Sequence, residues 1–288
     1  MKETSYYNFL PKVFFNRLLC KYENTEIYKI TIFAPLIAKN YLPGQFVILM
    51  VNEKSERIPL TIVETDVEKG TITLIYQVVG FTTKLLSNVK EGDSLFHIVG
   101  PLGKPTCFEE YNNKKIVLVA GGVGAAEVYS LAFAFKKNNN FIITILGSRN
   151  KSLLILEEEF RKISDSLYIT TDDGSYGLKG FVTDALKDIL INQKDVDLVY
   201  TVGPLIMMRN VAKLTKDYNI KTIASLNTIM VDGTGMCGSC RITCDGKIKY
   251  VCCDGPEFDA HSIDWDEVIA RNNAYIEQEK EILNFNLL

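Results

Sequence analysis

The stretch Ile116-Val117-Leu118-Val119-Ala120-Gly121-Gly122-Val123-Gly124 sets an unbroken apolar run against a cluster of glycines. A short run without polar alternation is the pattern of a strand buried on both faces, as in a parallel sheet covered by helices. Glycines there permit a tight turn and close backbone approach. The helix expected from Ala125 to Lys137 would offer its free N–H groups to a pyrophosphate. A glycine-rich strand-to-helix turn can also serve packing alone.

Moving towards the C-terminus, apolar runs at Phe141–Leu146, Leu167–Thr171, Leu198–Val202 and Thr222–Ala224 alternate with helical stretches near 155–163, 181–190 and 205–217. Alternation at this spacing predicts βαβ units and a parallel α/β nucleotide-binding domain over residues 109–225. Gly203-Pro204 follows another strand end, on the edge where open α/β sheets bind ligands.

Moving towards the N-terminus, residues 1–108 carry short runs rich in β-branched and aromatic residues: Ile27–Phe33, Gln45–Val51, Thr71–Val79 and Ser94–Val99. Pro43-Gly44, Lys69-Gly70, Glu91-Gly92-Asp93 and Gly100-Pro101 punctuate them, which predicts an antiparallel barrel or sandwich. Arg57-Ile58-Pro59-Leu60-Thr61 and Gly80-Phe81-Thr82-Thr83 end or follow strands. An arginine fork with hydroxyls and backbone N–H groups beside it suits a dinucleotide's pyrophosphate. A solvated surface cation and ordinary strand threonines fit the same residues.

Residues 226–288 form a third segment. It reads Asp232-Gly233-Thr234-Gly235-Met236-Cys237-Gly238-Ser239-Cys240, then a short alternating strand, then Val251-Cys252-Cys253-Asp254. Asp232, Cys237, Cys240 and Cys252 match the spacing of plant-type [2Fe-2S] ligands, with a carboxylate in the first place. A structural zinc site on Cys237, Cys240, Cys252 and Cys253 is the rival, although adjacent cysteines rarely both reach one tetrahedral ion. Cys244 reads as a small buried hydrophobe, and Cys20 and Cys107 are isolated. The tail from Ile263 is a helix candidate. Asp264 caps it, Glu267 completes a capping-box spacing, and Trp265, Val268, Ile269, Tyr275 and Ile276 recur on one face.

Composition narrows the class. The 288 residues are 47% hydrophobic and 23% charged, with a net charge of -3, so the surface lacks the basic field that nucleic acid or anionic membrane requires. No apolar run reaches membrane-span length, and the first 28 residues do not read as a signal peptide, which predicts a cytoplasmic protein with reduced cysteines. His97 and His261 belong to no constellation, and no Ser/His/Asp or Cys/His arrangement suggests hydrolysis. Glu157-Glu158-Glu159 reads as a solvated helix face.

The order of motifs is more specific than any one of them. Pro43-Gly44-Gln45-Phe46-Val47, Arg57 to Thr61, Gly80 to Thr83, Gly100-Pro101-Leu102-Gly103 and Gly121 to Gly124 together resemble the ferredoxin-NADP reductase superfamily over about residues 15–225. With the cluster loop added, the chain is similar to electron-transfer subunits of dihydroorotate dehydrogenase, whose loop starts with Cys. It is also similar to the small subunits of bifurcating NADH-dependent reduced ferredoxin:NADP transhydrogenases. In the latter the loop starts Val-Asp-Gly-Thr-Gly-Met-Cys, as at Val231–Cys237, and continues into Asp-Gly-Pro-Glu-Phe-Asp, as at Asp254–Asp259. Many relatives carry Pro at the place of Glu127.

That resemblance implies an FAD-binding antiparallel β-barrel, an NAD(H)-binding α/β domain and a C-terminal [2Fe-2S] segment with a helical tail. Pro59, Leu60, Thr61 and Gln77 would lie with the flavin, Arg57, Gly80, Thr82 and Thr83 at its pyrophosphate, and Gly121, Gly122, Val123, Gly124, Gly203 and Pro204 at the nicotinamide nucleotide. Asp232, Cys237, Cys240 and Cys252 would ligate the cluster. It further implies a heterodimer with a larger iron-sulfur flavoprotein subunit that carries FAD and [4Fe-4S] clusters and handles NADPH and ferredoxin. Arg149, at the end of the second parallel strand, can favour a 2′-phosphate, whereas the resemblance implies NAD(H).

Overall fold

In the computed structural model, residues 10–286 are described, so the outer limits 1 and 288 of the expected first and last segments lie outside the described residues. The first half is built from β1 (Val13–Tyr22), β2 (Thr25–Phe33), the short helix α1 (Pro35–Asn40), β3 (Phe46–Met50), β4 (Ile58–Asp66), β5 (Thr71–Gln77), α2 (Phe81–Ser87) and β6 (His97–Leu102). Its six strands pair antiparallel in the order β1-β2-β5-β4-β3-β6. The two edges meet: Lys12 bridges Ser94, and Val13 N–H donates to the Asp93 carbonyl at 2.8 Å. That contact closes the curled sheet into the expected barrel.

Period-two alternation sorts the faces. Ile72, Leu74 and Tyr76 of β5 point into the barrel core, while Ile75 joins the core of the second half. β1 and β4 escaped the sequence reading. β1 is largely apolar, but Phe14, Leu18, Leu19 and Tyr22 are exposed and only Val13 is buried, so pairing to β2 rather than a buried apolar face makes it a strand. Gly80 to Thr83 follows β5, as read, and opens the helix Phe81–Ser87, where the Thr83 hydroxyl folds back to accept from the Val79 and Gly80 N–H groups at 2.9 Å each.

The second half contains β7 (Lys115–Gly121), α3 (Gly124–Lys137), β8 (Phe141–Ser148), α4 (Glu157–Ile163), β9 (Ser166–Thr171), β10 (Leu178–Lys179), α5 (Val182–Asn192), β11 (Leu198–Val202), α6 (Leu205–Asp217) and β12 (Thr222–Ser225). The expected βαβ pattern is present. The sheet order β10-β9-β8-β7-β11-β12 runs outward from β7, then returns to β11 on its other side. The β7/β11 border is therefore the topological switch point. Val128, Leu131, Ala132 and Phe135 form the buried face of α3; full burial of a side chain such as Leu131 contributes roughly 2 kcal/mol.

The last segment holds a hairpin of β13 (Arg241–Cys244) and β14 (Lys247–Tyr250), then α7 (Val251–Asp254), β15 (Glu257–Asp259), α8 (Trp265–Asn272) and α9 (Ile276–Asn286). β15 pairs antiparallel with β12, adding a seventh strand to the parallel sheet. One apolar core unites Phe46 and Ile48 of the barrel, Met208 and Ala212 of α6, and Cys240, Ile242, Val251 and Cys252. The expected cap is present: Asp264 Oδ1 accepts from Glu267 N–H at 3.0 Å. The tail is two helices rather than one, with a break at 273–275 and Tyr275 exposed. Among the described residues no helix is long and apolar enough to cross a membrane.

Candidate functional site: two cavities at the switch point and a cysteine loop

Where the barrel's outer face meets the β7/β11 border, a cleft of about 460 Å³ opens. Pro59, Leu60, Thr61, Gln77 and Thr83 line its barrel side. Gly121 to Gly124, Gly203 and Pro204 line the other, so the structure brings these sequence-selected residues together. Gly80, Thr82 and Arg57 stand outside that lining. Thr82 is buried, and its hydroxyl donates to Glu56 Oε2 at 2.9 Å. Arg57 turns to the cysteine loop instead: Nε donates to the Val231 carbonyl, and Nη1 lies 3.3 Å from His97 Nδ1. Burial, then this guanidinium, holds the His97 pKa below its ordinary value.

The cleft suits a flat, largely apolar ring with polar edges. Val79 is exposed, Ile58 and Leu60 are half-buried on its wall, and Glu127 contributes a carboxyl oxygen, Oε1, that is shielded from water yet without a partner. Burial pushes the Glu127 carboxyl up, partly offset by the Ser225 and Thr61 hydroxyls. Sequence reading treated Glu127 only as a place where relatives carry Pro. An acid in the first turn after a glycine-rich strand end is the signal that was present.

The second cavity, about 700 Å³, continues along the carboxyl ends of the parallel strands. Gly121, Gly122, Gly147, Ser148, Arg149, Asp172, Pro204 and Met207 belong to its wall. The backbone here is interlocked. A Cβ on Gly124 would stand 2.6 Å from the Val202 carbonyl oxygen, and one on Gly203 would stand 3.0 Å from Gly121 N. Only glycine lets the β7–α3 and β11–α6 turns pass this closely, which leaves the α3 N-terminus facing the space. Arg149 donates to Thr25 Oγ1 of the barrel. Burial and the neighbouring Asp173 push the Asp172 carboxyl up, with Arg149 opposing. Asp172 was missed in sequence, although its position just past β9 is the ligand-binding edge.

In the cysteine loop, the sulfurs of Cys240 and Cys252 approach to 3.3 Å inside the apolar core, and all described cysteines are free thiols. Burial and then Cys240 push the Cys252 thiol up. Cys253 Sγ lies 3.5 Å from Cys252 Sγ, and Cys253 itself is exposed. Asp232 spans its own turn: Oδ1 accepts from Thr234 N–H at 2.8 Å and Oδ2 from Cys237 N–H at 2.9 Å. Those backbone bonds hold its carboxyl below the usual range. Cys237 is exposed, and the Ser239 hydroxyl lowers its thiol pKa. Among the described residues no three His, Cys, Asp or Glu side chains gather closely enough to hold a metal ion. The donor chemistry fits an iron-sulfur cluster, with two converging buried sulfurs and a third on an exposed loop tied to Asp232. The remaining histidine, His261, places Nε2 3.0 Å from Thr215 Oγ1 and is satisfied within the fold.

Comparison with known proteins gives these features a context. Residues 118–213 match the oxidoreductase NAD-binding domain, and residues 227–264 match the iron-sulfur cluster binding domain of dihydroorotate dehydrogenase B. The chain is 48% identical over 255 residues to the dihydroorotate dehydrogenase B (NAD(+)) electron transfer subunit homolog of Thermotoga maritima, covering 88% of this chain and 89% of that one. It is 33% identical to the dihydroorotate dehydrogenase B (NAD(+)) electron transfer subunit of Fusobacterium nucleatum, covering 84% and 96%. A solved chain of the NADH-dependent reduced ferredoxin-NADP oxidoreductase, described for flavin-based electron bifurcation, superposes with a TM-score of 0.88 at 44% identity, covering 97% of this chain and 98% of that one. With its ferredoxin-NADP reductase-like barrel, NAD-binding sheet and iron-sulfur segment, the chain belongs to the family of oxidoreductase electron-transfer subunits that includes those of dihydroorotate dehydrogenase B.

Proposed function

We propose that this chain is the electron-transfer subunit of a cytoplasmic, flavin-based bifurcating NADH/ferredoxin:NADP+ transhydrogenase. The observation that carries the reading is the match at 44% identity over 97% of the chain to the NADH-dependent reduced ferredoxin-NADP oxidoreductase. The loop Val231–Cys237, with Asp232 in the first ligand place, supports it.

FAD, when bound, supplies the conversion of hydride chemistry into single-electron chemistry. In this reading Pro59, Leu60, Thr61 and Gln77 position its ring in the 460 Å³ cleft, and Thr83, with the backbone of Gly80 and Thr82 at the start of α2, would hold its pyrophosphate, the Thr82 hydroxyl being turned to Glu56. Arg57 joins them by exchanging its Val231 and His97 contacts for phosphate. Gly121 to Gly124, Gly203 and Pro204 hold the nicotinamide nucleotide against the cleft, and the Asp172 carboxylate beside Arg149 disfavours a 2′-phosphate, which selects NAD(H). Asp232, Cys237, Cys240 and Cys252 hold the [2Fe-2S] cluster. The partner is a larger iron-sulfur flavoprotein with its own FAD and [4Fe-4S] clusters, at which NADPH and ferredoxin react.

The names of the Thermotoga and Fusobacterium relatives favour a second reading, service to a dihydroorotate dehydrogenase. Co-purification from the source cells, followed by anaerobic assay, separates the two. The proposed protein is brown-yellow, bleaches with NADH, and with its partner reduces ferredoxin only when NADPH is oxidised and NAD+ reduced together. Dihydroorotate-dependent NAD+ reduction by the same complex establishes the second reading instead. A colourless protein sinks both.

A further inference from the structure

Cys253 is a thiol with no assigned task at the edge of the cysteine loop. It follows Cys252 on the short helix α7, yet the two side chains part: Cys252 is buried in the apolar core, whereas Cys253 is exposed. Its Sγ lies 3.5 Å from Cys252 Sγ on one side. On the other side it rests against Gly235, where a Cβ would stand 3.0 Å from Cys253 Sγ and 3.7 Å from its Cβ. Gly235 has a φ of +83°, which glycine adopts without strain, so the loop passes directly over the thiol. Gly235 stands between Asp232 and Cys237, in the arm that carries the first two ligand places. Cys253 therefore sits between a buried ligand and that arm.

The carboxylate is the weak member of the ligand set. Both Asp232 oxygens already accept backbone N–H groups, from Thr234 at 2.8 Å and Cys237 at 2.9 Å, so iron must share them. A carboxylate is also a hard donor, whereas iron-sulfur clusters favour soft thiolate. The arm is open to water: Val231, Met236 and Cys237 are all exposed. The place nearest solvent is thus held by the donor the cluster favours least. Beside it stands a free thiol whose one hydrogen-bonding neighbour among the described residues is Cys252.

We propose that Cys253 is a reserve ligand: when the bond between iron and Asp232 opens, the Cys253 thiolate takes that place and keeps the cluster in the chain. This rests on the proposed function, in which Asp232, Cys237, Cys240 and Cys252 hold a [2Fe-2S] cluster. Adjacent cysteines rarely both reach one tetrahedral ion, but a [2Fe-2S] cluster spreads four ligands over two irons. Cys252, converging with Cys240, serves one iron, and Cys253, lying against the arm of Cys237, serves the other. The exchange breaks one iron–oxygen bond and forms one iron–sulfur bond. The thiol proton leaves to the freed Asp232 carboxylate or to water, and no electron is gained or lost.

The test uses the anaerobically purified holoprotein and its variants, read by iron content and by the paramagnetic resonance of the reduced cluster; bound flavin reports folding in each. Cys253→Ala should keep the wild-type spectrum but release iron to an Fe(II) chelator roughly 10-fold faster, the scale on which groups just outside a metal's ligands affect its retention. Asp232→Ala should retain a cluster with shifted g values and a lower midpoint potential, because thiolate donates more electron density than carboxylate. The double variant Asp232→Ala with Cys253→Ala should lose the cluster. If Asp232→Ala misfolds, Asp232→Asn keeps an acceptor for the turn without a ligand's charge, and the same shifted spectrum is expected. Loss of the cluster from the folded Asp232 variant overturns the exchange, as do equal release rates in Cys253→Ala and wild type, or a cluster that survives the double variant. Loss of the cluster from Cys253→Ala alone would make Cys253 the resting ligand and overturns it as well. Wild-type protein without a [2Fe-2S] cluster removes the proposed function and the reserve ligand together, whereas a wild-type cluster with one of those results removes the reserve ligand and leaves that function standing.

Discussion

The nucleotide cavity and the cysteine loop sit on the same scaffold but are built in opposite ways. The cavity is made of backbone: the turns at Gly121–Gly124 and Gly203 interlock at distances no side chain could share, and flanking strands fix them from both sides. The loop is made of side chains. Only Cys240 and Cys252 converge in the core, while Cys237 stays exposed and Asp232 is occupied with its own turn. A site formed by backbone is fixed by the packing of its turns, whereas a site formed by thiolates takes its stability from the metal it binds.

The largest expected effect separates the two regions outright. Cys240→Ser should abolish the cluster's paramagnetic signal in the reduced protein while NADH still reduces the flavin. Loss of NADH-dependent flavin reduction together with the cluster would mean that the two regions are one cooperative site. The next effect strikes the interlocked turns. Gly124→Ala places a methyl against the Val202 carbonyl, with no flexible side chain to yield, and should cost about 3 kcal/mol in denaturant unfolding and weaken NADH binding, with iron content retained.

The smallest effect probes the joint between the regions, β15, where Glu257 is buried against Tyr200. Its folded pKa, raised by burial to about 7 from 4.5, means the folded state binds more protons than the unfolded state across that interval. Stability therefore falls as pH rises from 4.5 to about 7 and levels off above, by up to about 3 kcal/mol and less where local opening relieves the burial. Glu257→Gln should flatten that part of the stability profile without moving the cluster signal. An identical profile in the variant would show that the joint is not where the proton is held.

How much was legible follows the same division. The parallel sheet could be read because buried strands leave unbroken apolar runs and the turns between them demand glycine. β1 could not, because its apolar residues Phe14, Leu18, Leu19 and Tyr22 stay exposed and follow no buried face, so they form a strand only when β2 is alongside. Thr61 was read as a site residue from its motif, but its partner Glu127 was not, since the two are 66 positions apart and meet only when α3 packs on β4. Arg57 is the complementary case: the sequence suggested a phosphate fork, and only the fold shows the Val231 carbonyl and His97 beside it.

By itself the sequence determined the local periodicities, the glycine turns and the cysteine spacing, all of which are short-range properties fixed by backbone sterics and ligand chemistry. Only the tertiary structure decided that the barrel's outer face, the β7/β11 border and the cysteine segment share neighbouring cores. It alone placed an unpaired carboxyl oxygen of Glu127 behind the cleft and joined Tyr200 to Glu257 through β15. Burial and desolvation depend on what packs from elsewhere in the chain, so the groups whose proton affinity they shift become visible only when those surfaces meet.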